Sequence, residues 1–227
     1  MSQNYLNIQK VTSANKAYPE GLLQLFNTAP PTIFAQGNLG ILGKPAIGFC
    51  GSRNASRKGL ETTYNLSKNA VTENIVVVSG NAKGVDAAAH FSALENGGET
   101  ILVLPEGIDH FRIRTELKDV WDWQRVLVIS QFEPQMRWQS WRAMERNKLV
   151  IALSDAIVVV EAGEKGGTLD AGKAALKAGK TLFVADYDAL PTEAHGNSVL
   201  LSKGGEKLRI SDNFVTRMEP AQASMPL

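Results

Sequence analysis

The chain has 227 residues, 44% of them hydrophobic and 21% charged, with a formal net charge of +1. That balance fits a globular protein of one large or two small domains and excludes a bulk polycation, so any nucleic-acid contact must rest on a local patch. A single cysteine, Cys50, excludes an internal disulfide, while the lack of an apolar run near ~20 residues and of a signal-peptide core in MSQNYLNIQK leads to the expectation of a cytoplasmic protein without membrane contact.

Residues Met1 to Lys16 are polar and weakly patterned. A short helix is expected after Tyr18-Pro19, with Leu22, Leu23, Leu25 and Phe26 on one face, and Ala29, Pro30 and Pro31 stop it. A short strand over Thr32 to Gln36 and a helical turn ended by Gly43, Lys44 and Pro45 complete residues 1–45, expected to cap the rest of the chain. From Ala46 the pattern alternates strand and helix. Strands are expected at Ala46–Cys50, Ile75–Ser79, Thr100–Leu104, Val126–Gln131, Ala156–Val160 and Thr181–Ala185. Helices are expected at Lys58–Glu73, Gly84–Glu95, Thr115–Arg125, Gln139–Leu153 and Leu169–Lys177. Runs such as VVVSG and IVVVEAG are apolar throughout, as strands covered on both faces are, which predicts an α/β, doubly wound, mostly parallel sheet over residues 46–215. Ligands of such folds bind at the carboxyl ends of the strands. A short helix is expected through Val199, Leu200 and Leu201, and residues 216–227 are expected to be a disordered tail.

Three turns at that carboxyl edge combine small residues with charge. Gly51-Ser52-Arg53 follows the first strand. Ser79-Gly80-Asn81-Ala82-Lys83-Gly84 follows the second, with Asp86 placed to cap N–H groups in the next helix and His90 one turn beyond it. Gly166-Gly167-Thr168 opens a third helix after Glu161. Unpaired N–H groups at helix starts, together with Arg53 and Lys83, point to an anion such as phosphate. The stretch Met136 to Asn147 interleaves Trp138 and Trp141 with Arg137, Arg142 and Arg146, a pattern that can track a phosphate backbone and stack on bases, or equally a helix with core tryptophans and a solvated basic face. Neither a P-loop nor GxGxxG occurs, and neither metal-ligand spacing nor a nucleophile elbow is present, so no cofactor or metal is expected.

The order of these motifs resembles the DNA-processing protein A family, also called Smf, bacterial recombination mediators. The resemblance runs from Tyr18-Pro19 through Gly51-Ser52-Arg53, the Ser79 to Asp86 turn and His90, then Arg146-Asn147 and Gly167-Thr168 to Gly196-Asn197. It implies an extended Rossmann fold without a catalytic activity that binds single-stranded DNA in a basic pocket, forms a homodimer and helps load the RecA recombinase during natural transformation. Ser52, Arg53, Gly80, Lys83 and Gly84 match the phosphate-contacting turns, and Arg146-Asn147 match a basic helix start lining the same pocket. This chain departs from the family pattern at Gly166-Gly167-Thr168, at Ala171-Gly172 and at Glu145 and Lys148. It is also expected to lack the helical and winged-helix domains that many members carry at their ends.

Two other functions fit the residues. A small-nucleotide sensor would use the same edge. A nucleotide phosphoribohydrolase would need an acid or base beside a sugar, with Asp86, Asp170 and Glu161 as candidates.

Overall fold

Continuously apolar strands need cover on both faces, and the architecture supplies it with a central sheet between two helical layers. The computed structural model describes residues 7–26, 28–187, 190–191 and 194–218. Among these, β1 (Gln9–Val11), β2 (Ile33–Gly37), β3 (Ala46–Gly51), β4 (Val76–Ser79), β5 (Thr100–Val103), β6 (Val126–Ser130), β7 (Ala156–Val160), β8 (Thr181–Ala185) and β9 (Glu206–Leu208) form one sheet. The strand order is β1-β2-β6-β5-β4-β3-β7-β8-β9. All pairings from β6 to β9 are parallel, while β2 runs antiparallel to both β1 and β6.

The helices are α1 (Glu20–Leu25), α2 (Arg57–Thr72), α3 (Val85–Glu95), α4 (Ser140–Ala152), α5 (Gly167–Lys177), α6 (His195–Ser202) and α7 (Phe214–Met218). Alternation along β3 sends Ile47 and Phe49 into one layer with Leu66 of α2, Ala89 of α3 and Phe214 of α7. It sends Ala46 and Cys50 into the opposite layer with Leu22 of α1, Leu149 of α4, Leu169 of α5 and Leu200 of α6. The doubly wound parallel sheet is therefore present. After β3 the chain continues into β4 on one side, and β7 occupies the other, so the winding reverses at the carboxyl end of β3. Such a reversal opens a crevice between the loops that leave in opposite directions.

The structure differs from the sequence reading in four places. The N-terminal leader contributes β1 and β2 to the same sheet, and Leu23 is exposed while Leu22 is buried. The helix expected over Thr115–Arg125 is a 3-10 run over Thr115–Val120 that stops before Trp121. Its end is explained by Asp122, whose carboxylate accepts the Gln124 N–H at 2.9 Å and the Arg125 Nε–H at 3.0 Å, a local alternative to helical bonding. The short strand β9 had no counterpart in the reading. Finally, the expected disordered tail from residue 216 is corrected for Thr216 to Met218, which belong to α7, seated through Phe214 at 6.2 Å from the Phe183 ring. Residues 219–227 lie outside the described residues.

Candidate functional site

At the end of β3 the chain turns through Ser52 to Ser56 and enters α2. The Ser52 hydroxyl accepts the Asn54 N–H at 3.1 Å and tightens the turn, and the Ser56 hydroxyl caps α2 by accepting the Gly59 N–H at 3.0 Å. The neighbouring turn, after β4, docks on it: the Val85 N–H donates to the Ser52 carbonyl at 3.2 Å. Gly84 makes this approach possible, because its φ of +79° lies in the left-handed region and a Cβ there would stand 2.3 Å from the Ser52 oxygen. Arg53 and Lys83 project from the two turns, exposed and without an ion pair among the described residues.

From α4, Arg146 packs against the second of these turns, only 7% exposed. Its guanidinium lies over Gly80, where a Cβ would fall 1.3 Å from Nη1, so glycine at that position leaves the space the arginine occupies. Its one ionic partner among the described residues is Asp86, at 3.6 Å from Nη1, and its buried Nε has no hydrogen-bond partner. Asp86 also accepts the Ala82 N–H at 3.1 Å, which fixes the second turn. His90, 1% exposed, holds the same turn from below. Its Nε2 donates to the Gly80 carbonyl at 2.7 Å, and Nδ1 lies 2.6 Å from Thr100 Oγ1. Burial pushes its pKa down to about 4, so the ring is neutral at neutral pH. Cys50, under the site, has its thiol pushed up to about 12 by burial and by the Asp86 carboxylate, which makes it an inert side chain.

The third wall follows β7. Glu161 adopts a left-handed φ of +55° and is buried. It accepts the Ser56 N–H at 2.7 Å, the Ser56 hydroxyl at 2.5 Å and the Tyr187 hydroxyl, so a carboxylate from β7 holds the start of α2. Burial and that carboxylate push the Tyr187 phenol upward, which keeps it a donor. Beyond Glu161, the Ala162 N–H donates to Asn197 Oδ1 at 2.7 Å, anchoring the loop to α6. Gly166 and Gly167 then open α5, and a Cβ at either would meet nothing within 4 Å. No side chain caps the start of this 11-residue helix, whose first N–H groups carry the partial positive charge of a helix N-terminus.

These walls enclose a cleft of about 890 Å³ at the winding reversal, lined by Gly51, Ser52, Arg53, Asn54, Asp86, Arg146, Asn147, Lys165, Gly166, Gly167 and Thr168, with others. A second groove of about 280 Å³ is lined by Asn81, Lys83, Pro105, Glu106, Arg114 and Trp138. Both share Arg53, Ala82, Ala143 and Arg146, so they adjoin along these residues, and together they are termed the channel.

Of the residues singled out in the sequence, Ser79, Gly80, Gly84 and His90 line neither part. Ser79 is buried and donates its hydroxyl to the Phe49 carbonyl at 2.7 Å, so these four shape the turns from within. Arg146 lies midway along α4, not at its start, because the helix begins at Ser140. Arg142 packs over the Phe132 and Trp141 rings at 5.3 and 5.2 Å, and Lys148 pairs with Glu145 at 2.9 Å outside the channel. Trp138 and Trp141 are 50% and 54% exposed, which corrects the alternative of core tryptophans. Of the three carboxylates considered for chemistry, Asp170 lines neither part, Asp86 faces Arg146, and Glu161 is occupied by three donors. Sequence reasoning missed Arg114, the cap that Ser56 places on α2 and the hydrogen bond from the Tyr187 hydroxyl to Glu161. Arg114 stands in no motif, and the Ser56–Glu161 pairing spans 105 positions.

Comparison with known proteins places this geometry. Residues 9–219 match the family model of DNA recombination-mediator protein A. DNA processing protein DprA of Streptococcus pneumoniae is 28% identical over 221 residues, covering 96% of this chain and 77% of that one. The Bacillus subtilis protein of the same name is 29% identical over 204 residues, covering 88% and 68%. In structure, the chain is similar to DNA processing protein A from S. pneumoniae, with a TM-score of 0.79, 29% identity and coverage of 90% and 72%. It is also similar to that from Helicobacter pylori, solved to describe its single-stranded DNA binding mode, with a TM-score of 0.77, 27% identity and coverage of 95% and 97%.

Proposed function

Since the chain belongs to the DNA recombination-mediator protein A family, a family of DNA-processing mediators rather than enzymes, we propose that it binds single-stranded DNA along the channel at the carboxyl ends of β3, β4 and β7. The observation that carries this reading is that the two parts adjoin at Arg53 and Arg146, with Lys165 lining one and Lys83 and Arg114 the other. A lone mononucleotide needs one anion site, whereas successive phosphates need cations at intervals. The H. pylori relative's single-stranded DNA binding mode supports the same ligand here.

In this mechanism Arg53, Lys83 and Arg146 neutralise phosphates, and the uncapped start of α5 at Gly167 and Thr168, which lines the cleft, takes a further oxygen. Asp86, His90 and Glu161 position the turns and do not touch DNA. Phosphate contacts act independently of sequence and release counterions. Arg53→Ala or Lys83→Ala should therefore weaken binding by similar factors across unrelated strands and lower the slope of log affinity against log salt by about 1. Fluorescence anisotropy at several salt concentrations measures both, and an unchanged slope would remove these residues from the path.

Loading of a RecA-type recombinase onto the bound strand and a homodimeric state extend the proposal. Strand exchange in the presence and absence of the protein tests the first, and sedimentation tests the second. The cleft volume of about 890 Å³ also suits a single nucleotide. A thermal-shift series with mono-, di- and cyclic nucleotides separates that reading, because a ligand bound to the native state raises the melting temperature.

A further inference from the structure

The larger cleft meets α5 at Gly166 and Gly167, which are exposed and put no side chain on its rim. Beyond that rim the outer face of the helix is basic. Leu169, Ala171, Gly172 and Ala175 are buried, which leaves Asp170, Lys173 and Lys177 exposed on the opposite side. Lys173 and Lys177 are one turn apart and stand ~9 and ~15 Å along the axis from Gly167 at about 1.5 Å per residue. Lys180 follows, and Lys203 lies at the near end of α6, where a Cβ at the next residue, Gly204, would stand 4.0 Å from Leu176 Cδ2. With Lys165, which lines the cleft, these lysines have no ion pair among the described residues.

Residues 165–180 thus hold four lysines against one carboxylate, Asp170, in a chain whose net charge is only +1, so positive charge is concentrated on this face. The helix macrodipole favours a cation in the last turn, which accounts for Lys177 and not for Lys165 or Lys173. Like charges at i and i+4 also repel each other. A polyanion laid along the helix removes that repulsion. A protein partner fits less well, because protein interfaces have an apolar centre and are depleted in lysine, and no large apolar side chain is exposed on α5 or α6 among the described residues.

We propose that the outer face of α5 is a second stretch of strand path: a single strand leaving the cleft over Gly166 and Gly167 lays its next phosphates on Lys173 and Lys177, with Lys180 and Lys203 beyond. The proposal rests on the reading of the channel as a single-stranded DNA path. Lysine is a flexible point charge that holds a phosphate without fixing its geometry. This stretch therefore lengthens the contact and adds affinity without adding sequence preference.

The test titrates oligo-dT of about 5 and about 20 nucleotides, one confined to the channel and one that outruns it, at several salt concentrations. The proteins are the unaltered chain, the double variants Lys173→Ala with Lys177→Ala and Lys173→Arg with Lys177→Arg, and Arg53→Ala, each shown to be folded by circular dichroism and melting curves. On the long strand the double alanine variant should bind about ten-fold more weakly and lower the slope of log affinity against log salt by about 1–2, as two lost phosphate contacts do. On the short strand it should match the unaltered chain, and the double arginine variant should match it on both. Arg53→Ala should weaken both lengths. An unchanged slope on the long strand, or an equal loss on both lengths, would overturn the α5 path while the Arg53→Ala result still upholds the channel. If the unaltered chain binds neither strand, or Arg53→Ala alters neither, the channel reading itself fails and this one with it.

Discussion

Arg146 shows how a functional cation is kept at a buried position. An arginine nine-tenths out of water needs compensation, and Asp86 at 3.6 Å supplies part of it while the Nε donor stays unpaired. Gly80 supplies the room. Gly80→Ala places a methyl where Nη1 now lies, so the guanidinium must move out of the channel wall. The expected outcome is a loss of about 1–3 kcal/mol of stability, from overpacking, together with weaker strand binding. A urea titration beside an anisotropy titration checks both, and unchanged binding would show that Arg146 does not face the strand. His90 couples the same turn to pH. Its folded pKa, about 4, lies below the ordinary 6.5, so between those values the unfolded chain takes up a proton that the native ring does not. Its contribution is complete above pH 6.5, falls as pH drops towards 4, and levels off below that, a total of about 3 kcal/mol. The difference in urea midpoint between the unaltered chain and His90→Gln, measured at pH 7.5 and at pH 5, should narrow at the lower value. A constant difference would place the ring's titration elsewhere.

At the scale of elements, the site is an agreement among loops from β3, β4 and β7, and its parts were unequally legible. The turns themselves stand out in sequence because each joins an apolar strand to small residues and a helix, and Gly51-Ser52-Arg53 and Gly166-Gly167-Thr168 do line the cleft. What holds them was not legible, since Ser56 meets Glu161 across 105 positions, and no local pattern records that contact. The glycines mislead in a specific way. Gly80 and Gly84 look like phosphate-approach residues, yet the space they leave is filled by Arg146 and by the Ser52 carbonyl. The 3-10 run at Thr115–Val120 was misread because apolar spacing alone cannot register the competing turn at Asp122. The hinge of this arrangement is Ser56, which caps α2 and donates to Glu161 at once. Ser56→Ala removes the cap and leaves the Glu161 carboxylate with one donor fewer, a destabilisation of about 1–2 kcal/mol. Thermal melting measures it, and a shift within error would mean that water replaces the hydroxyl without loss.

For the whole molecule, the question is whether the leader is a detachable cap or part of the fold. β2 pairs with β6 from Phe34–Ser130 to Gly37–Leu127, and β1 covers β2 in turn. Val11, Leu22, Ile33 and Ala35 share a core cluster with Leu127, Ile129 and Leu149. The Gly37 backbone is fitted to this contact, with a φ of +112° and no room for a Cβ beside the Val126 oxygen at 2.3 Å. Removing residues 1–37 would leave β6 as a bare edge of apolar sequence beside an uncovered core, and an exposed edge of that kind pairs with other chains. The truncated chain is therefore expected to aggregate, although it retains every residue lining the channel. Light scattering during refolding of the two chains checks this. A soluble, monomeric core with unchanged strand affinity would instead show that the α/β unit from Ala46 onward folds alone, and that β1 and β2 only shield its edge.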